Sequence, residues 1–165
     1  MKKYLFIPVS VLALLLGVGI FSTLSAVNEE QVAMEKVIRL HVRAADDSVQ
    51  EQALKLKVRD EILNCTSSLL ENCTDKNEAR ACIEANLSKL KEAGQAVVDA
   101  EGCDHIVSVS LERETFEYRE YDGFFLPEGE YDSLIVNIGP AEGQNWWCVV
   151  FPAACYMGAS DTVET

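Results

Sequence analysis

The chain has 165 residues and a formal net charge of −13, with 27 acidic against 14 basic residues. Such an excess of carboxylates repels phosphate backbones and anionic lipid headgroups, so the composition argues against a nucleic-acid partner. The length suffices for one modest hydrophobic core, and we expect a single domain.

The first 26 residues have the layout of an export signal. Lys2 and Lys3 precede an apolar run over residues 4–21, and small polar residues follow up to Ala26. The apolar run approaches the roughly 20 residues that span a bilayer, so an uncleaved N-terminal membrane anchor is the alternative to a cleaved signal peptide. In both cases the rest of the chain lies on the far side of the membrane.

Alternating apolar and polar residues predict the first strand, at residues 38–42. Its apolar side chains lie on one side, while Arg39, His41 and Arg43 lie on the other. No ligand or nucleophile pattern accompanies His41, so a structural role is favoured over that of a catalytic base. His41 and Arg43 are candidates for contact with a partner.

Two helices are expected next, as a hairpin. Ser48 followed by Glu51 has the spacing of a capping box and starts the first helix, which ends before residue 72. Asp75 followed by Glu78 repeats the spacing and opens the second helix, which Gly102 stops. Because the connection is short, the helices should run antiparallel.

Six cysteines in an exported chain suggest disulfide bonds. Residues mirrored about the turn of a helical hairpin face each other, which makes Cys65 and Cys82 a candidate pair. The cysteine intervals lack the close pairs typical of zinc sites, so we expect no metal and no cofactor.

From residue 106 onward the period changes to two, which predicts strands as far as residue 151. Asp122 and Gly123 favour a tight hairpin turn between two of them. The expected fold is α+β, a two-layer domain with the helical hairpin packed on a mainly antiparallel sheet. We place this domain at residues 27–156 and a flexible acidic tail at residues 157–165.

The last strand, at residues 145–151, is apolar on both faces, with Trp146 on one face and Trp147 on the other. One face can meet the helices. The other either covers a small satellite cluster or forms a docking surface, so both tryptophans are candidates for partner binding. The sequence contains no G-x-S-x-G, H-E-x-x-H or P-loop pattern, and we expect no catalytic residues.

Several segments resemble one family, the stage II sporulation protein R family. They are residues 38–42 (IRLHV), 47–48, 52–60 (QALKLKVRD), 126–131 (LPEGEY), 138–139 and 143–152 (GQNWWCVVFP), with Cys155. The resemblance covers about residues 37–156, and the Asn-Trp-Trp-Cys run is its most specific part. The chain departs from the family pattern at Ala153 and Ala154, where Pro-Leu is expected, and in Cys65, Cys73, Cys82 and Cys103.

The resemblance implies a signalling protein made in the forespore and exported into the space between the forespore and mother-cell membranes. There it would activate a membrane-embedded aspartic protease, stage II sporulation protein GA, which cleaves the precursor of sigma E. It also implies a disulfide between Cys148 and Cys155, which both belong to the family pattern. The alternatives are an exported hydrolase that acts on the cell envelope and a purely structural envelope protein.

Overall fold

The computed structural model describes residues 35–121 and 124–152. The predicted export segment, the turn at Asp122 and Gly123, and the acidic tail lie outside these residues. In chain order the elements are β1 (Ile38–Arg43), α1 (Val49–Leu70), α2 (Lys76–Ala85), α3 (Leu87–Ala100), β2 (Val107–Phe116), β3 (Arg119–Tyr121), β4 (Phe124–Leu126), β5 (Gly129–Ile138) and β6 (Asn145–Phe151).

Four strands form one sheet in the order β2-β5-β1-β6, while β3 and β4 form a separate antiparallel pair. The β2–β5 and β1–β6 pairs are antiparallel. The β1–β5 pair is parallel, and the long crossover that such a pair needs contains the three helices and β2 to β4. The predicted α+β fold with a mainly antiparallel sheet is therefore confirmed.

Both predicted helix starts are confirmed by their caps. The Ser48 hydroxyl accepts a hydrogen bond from the Glu51 N–H at 3.3 Å. The Asp75 carboxylate accepts from the N–H groups of Asn77 and Glu78, at 2.8 and 3.0 Å. Each cap satisfies donors that have no partner within the helix, which explains why short polar side chains mark these positions.

The prediction of one continuous second helix is wrong, because Asn86 divides it into α2 and α3. The Asn86 N–H donates to the Ile83 carbonyl at 2.9 Å, and its side-chain amide donates to the Cys82 carbonyl at 2.8 Å. A side chain that bonds the local backbone in this way competes with regular helix hydrogen bonds. Of the two parts, α3 makes the more extensive contact with α1.

The sheet has a buried core on each face. On the helix side, Ile38, Leu40 and Val42 of β1 pack among apolar residues of the helices. The second core comprises Val37, Phe116, Leu126, Tyr131 and Val149, with Tyr121 and Trp147 packed against it. Since Tyr121 and Leu126 belong to the β3–β4 hairpin, this hairpin covers the second face. Among the described residues, no helix has both the length and the apolarity needed to cross a bilayer.

Candidate partner-binding site

The polar side of β1 and the Trp147 side of β6 form one surface, which we call the hairpin face. Alternation along the strands places its side chains together. His41 is paired with Trp147 in the β1–β6 register, and their rings lie 5.3 Å apart. The hairpin face consists of Arg39, His41, Arg43, Glu114, Phe116, Arg119, Tyr121, Tyr131 and Trp147.

At the centre of the hairpin face, one carboxylate joins two basic side chains. The Nδ1 atom of His41 lies 2.9 Å from an oxygen of Glu114, whose other oxygen accepts from Arg43 at 2.5 Å. The Arg43 Nε donates to the His41 Nε2 at 3.3 Å. Both ring nitrogens of His41 are therefore engaged, and the side chain is only 5 % exposed. Sequence reasoning missed Glu114, which lies on β2.

Trp147 is half-buried and lies between two basic groups. The guanidinium of Arg119, from β3, is 3.9 Å from the centre of the indole ring, and the centre of the His41 ring is 5.3 Å from it. A cation over an indole face is attracted by the ring quadrupole. These contacts fix the orientation of Trp147, which is not fully buried.

Arg39 is fully buried beneath the hairpin. Its guanidinium lies 3.8 Å from the centre of the Phe116 ring and 4.9 Å from that of Tyr131, and it donates to the Tyr121 hydroxyl at 2.8 Å. Burial lowers the pKa of Arg39 below its usual value, against the opposing effect of the two tyrosines. Within the described part of the chain, its Nε and one terminal nitrogen have no hydrogen-bond partner.

The hairpin also carries two exposed aromatic side chains that sequence reasoning did not select. Tyr118 and Phe125 stack with their ring centres 5.8 Å apart and are 56 % and 54 % exposed. Both flank the predicted turn at residues 122–123, which was the signal that could have drawn attention to them. Large aromatic side chains of this kind are the usual anchors of protein interfaces.

Trp146 lies on the opposite side of β6. It packs against the helix-side core, with the guanidinium of Arg59 from α1 at 4.1 Å from its ring centre. The structure therefore brings together three of the four predicted contact residues, His41, Arg43 and Trp147, and separates Trp146 from them.

Cys65 and Cys82, the candidate disulfide pair, are free thiols in the structure and are not bonded to each other. The Cys65 thiol donates to the Glu61 carboxylate at 3.4 Å, whereas that of Cys82 donates to the Leu69 carbonyl at 3.3 Å. Cys82 instead neighbours Cys73. The pKa of the Cys73 thiol is raised, mainly by burial and then by the nearby Cys82.

Cys148 is disulfide-bonded, and it is buried at the helix-side core. Its predicted partner, Cys155, lies outside the described residues, so the pairing between them stays a prediction.

The Gly143–Gln144 segment before β6 is fixed against the loop after β1. The N–H of Gly143 donates to the Ala44 carbonyl at 3.0 Å, and that of Gln144 donates to Asp47 at 2.6 Å. The buried Lys55 amino group of α1 donates to the Gln144 carbonyl at 3.0 Å. These three hydrogen bonds of Gly143 and Gln144 therefore hold the start of β6 in place beside β1.

A separate groove of about 660 Å³ lies between the end of α1, the start of α2 and the end of β6. Its lining includes the carboxylates of Glu35, Glu71 and Asp75. None of the four predicted contact residues lines it, so the groove and the hairpin face are distinct features.

Comparison with known proteins identifies the family. A model of the family described as stage II sporulation protein R matches residues 34–161. The stage II sporulation protein R of Bacillus subtilis (strain 168) is 31 % identical over 166 residues, which cover 98 % of this chain and 74 % of that protein. No solved structure matches the chain. The match extends over the entire described fold, and the chain belongs to the stage II sporulation protein R family, whose name assigns it to sporulation.

Proposed function

We propose that this protein is an exported forespore signal that triggers the membrane-embedded aspartic protease, stage II sporulation protein GA, to process the sigma E precursor. The observation that carries the proposal is the family match over residues 34–161. The layout of the first 26 residues supports the proposed location, between the forespore and mother-cell membranes.

In this proposal the protease contacts the hairpin face together with Tyr118 and Phe125 of the β3–β4 hairpin. Tyr118 and Phe125 provide an exposed aromatic pair, and Arg119, which follows Tyr118 in the chain, lies over the Trp147 ring. Rigid aromatic groups beside a cation suit an interface, because they bury much area with little loss of conformational freedom. His41, Arg43 and Glu114 act by positioning this layer.

The test is co-production of the chain with the protease and the sigma precursor in a host that does not sporulate. We expect precursor cleavage only when all three proteins are present. Cleavage that proceeds equally without this chain would refute the signalling role.

Variants then test the contact surface. Replacing Tyr118 and Phe125 together by alanine should reduce cleavage at least tenfold without loss of secreted protein. The matched control replaces Val49 and Ile106 by alanine, because these apolar side chains are 82 % and 71 % exposed outside the hairpin face. Full cleavage with the hairpin variant, or equal loss with the control, would exclude this surface.

An exported hydrolase is the second candidate, favoured by two observations. His41 and Glu114 form a histidine–carboxylate pair, and Glu35 and Glu71 are among the residues that line the groove. Against it, both His41 ring nitrogens already have partners, and Asp75 of the groove caps α2. Release of soluble fragments from purified cell wall, abolished by Glu35→Gln with Glu71→Gln, would favour the hydrolase. If the chain is instead a purely structural envelope protein, processing of the sigma precursor should be normal when the chain is absent.

A further inference from the structure

Three potential metal ligands converge where α1 begins and α3 leads into β2. They are the Glu51 carboxylate, the Cys103 thiol and the His105 imidazole, and one ligand atom of each lies within 4.8 Å of the other two. They come from the first turn of α1 and from the α3–β2 connection. This cluster lies outside the hairpin face and outside the groove.

The distances suit a small tetrahedral ion. The His105 Nε2 lies 3.3 Å from the Glu51 Oε1. Two ligands bound to zinc at its normal nitrogen and oxygen distances lie about 3.3 Å apart at a tetrahedral angle. A thiolate, an imidazole and a carboxylate are the three donor types that zinc accepts in proteins.

An ion pair between Glu51 and His105 leaves part of the cluster unexplained. The second Glu51 oxygen, Oε2, is buried and has no hydrogen-bond partner among the described residues. A buried carboxylate oxygen without a partner costs free energy, and a cation bound beside it removes that cost. The Cys103 thiol, also free, faces the same point.

The backbone holds the ligands in place. Gln95 accepts from the Val107 N–H at 2.8 Å and donates to the His105 carbonyl at 2.9 Å. Gly139 leaves room for the imidazole, because a Cβ there would lie 2.7 Å from the His105 Nδ1. The Cys103 N–H donates to Val98 at 3.2 Å. Ligands fixed before binding lose little entropy when the ion arrives.

We propose that Glu51, Cys103 and His105 bind one zinc ion, with water as the fourth ligand. On binding, the Cys103 thiol releases its proton to solvent and coordinates as thiolate. The ion then links the start of α1 to the α3–β2 connection. We expected no metal because only the spacing between cysteines was tested. That spacing does not detect a site in which one cysteine, one histidine and one glutamate are the ligands.

The test uses the full-length chain, stripped of metal and handled without oxygen, so that the free thiols stay reduced and the Cys148 disulfide stays intact. We expect it to bind one equivalent of Co²⁺ with a thiolate-to-cobalt charge-transfer band, and Zn²⁺ to displace the cobalt and raise the unfolding temperature. Cys103→Ser should remove the band, and Glu51→Gln should weaken zinc binding at least tenfold. The control, Cys73→Ser with Cys82→Ser, should keep the band.

Three results would overturn the zinc site: no band in the unaltered chain, a band that survives Cys103→Ser, or a band lost in the Cys73 and Cys82 control. Should Cys103→Ser fail to fold, alkylation of the unaltered chain answers the same question. Zinc should then protect Cys103 from iodoacetamide, and equal labelling with and without zinc would exclude the site. These measurements do not involve the protease, so they stand apart from the signalling proposal.

Discussion

Replacing Gly143 by alanine should destabilise the fold strongly. An added Cβ would lie 2.2 Å from the carbonyl oxygen of Asp46 and 2.5 Å from its carbonyl carbon, so backbone must move. The movement breaks the bonds from Gly143 to Ala44 and from Gln144 to Asp47. Each bond contributes about 1 kcal/mol, and overpacking costs a further 1–3 kcal/mol. We expect a total loss of roughly 3–5 kcal/mol.

Urea unfolding of the full-length chain in mild detergent, followed by tryptophan fluorescence, measures this loss. Gly102→Ala is the control, because Gly102 has a φ of +70° and no atom within 4 Å of an added Cβ. It should lose only the roughly 1 kcal/mol that a left-handed backbone costs alanine. A Gly143→Ala variant no less stable than the Gly102→Ala control would refute the reasoning.

Three further predictions concern single side chains. Arg39→Met should change the free energy of unfolding by less than about 1.5 kcal/mol. The reason is that the free-energy cost of burying a guanidinium is roughly balanced by the stabilisation from its ring contacts and hydrogen bond. A loss above about 3 kcal/mol in thermal unfolding would contradict this. Asp75→Ala should destabilise by about 1 kcal/mol in urea unfolding, since two N–H groups lose their cap, whereas an unchanged midpoint would show that the cap contributes nothing. Burial raises the pKa of the Cys65 thiol, so a smaller fraction of it is thiolate at a given pH. Iodoacetamide should therefore label Cys65 more slowly than a free cysteine peptide at pH 8, and the labelling rate should still rise above pH 9. Labelling at the rate of the peptide would exclude the effect.

Features that depend on neighbouring residues could be predicted from the sequence. Ser48 and Asp75 mark helix starts because their side chains bond N–H groups two or three residues away. The strands around residues 122–123 pair antiparallel as the turn residues indicate. The two apolar faces of β6 follow from alternation alone, and each does meet its own core. Local geometry decides all of these features.

The centre of the hairpin face could not be predicted in the same way. Glu114 lies on β2 and His41 on β1, and β5 lies between these strands in the sheet. Their contact joins residues 73 positions apart in the sequence, so no local pattern signals it. Asn86 was overlooked for a related reason: an apolar helical period continues across it, and only the hydrogen bonds of its side chain and N–H reveal the break.

The central position of β1 affects the order in which the chain can fold. β1 is synthesised before the other strands, yet its partners lie at Asp132–Asn137 and Asn145–Phe151, near the other end of the chain. The sheet cannot close until the chain has been made as far as Phe151, and such distant pairings form slowly. A chain that is exported as proposed would therefore remain unfolded during passage, in the extended form that a narrow translocation channel accepts, and would fold after its last strand emerges.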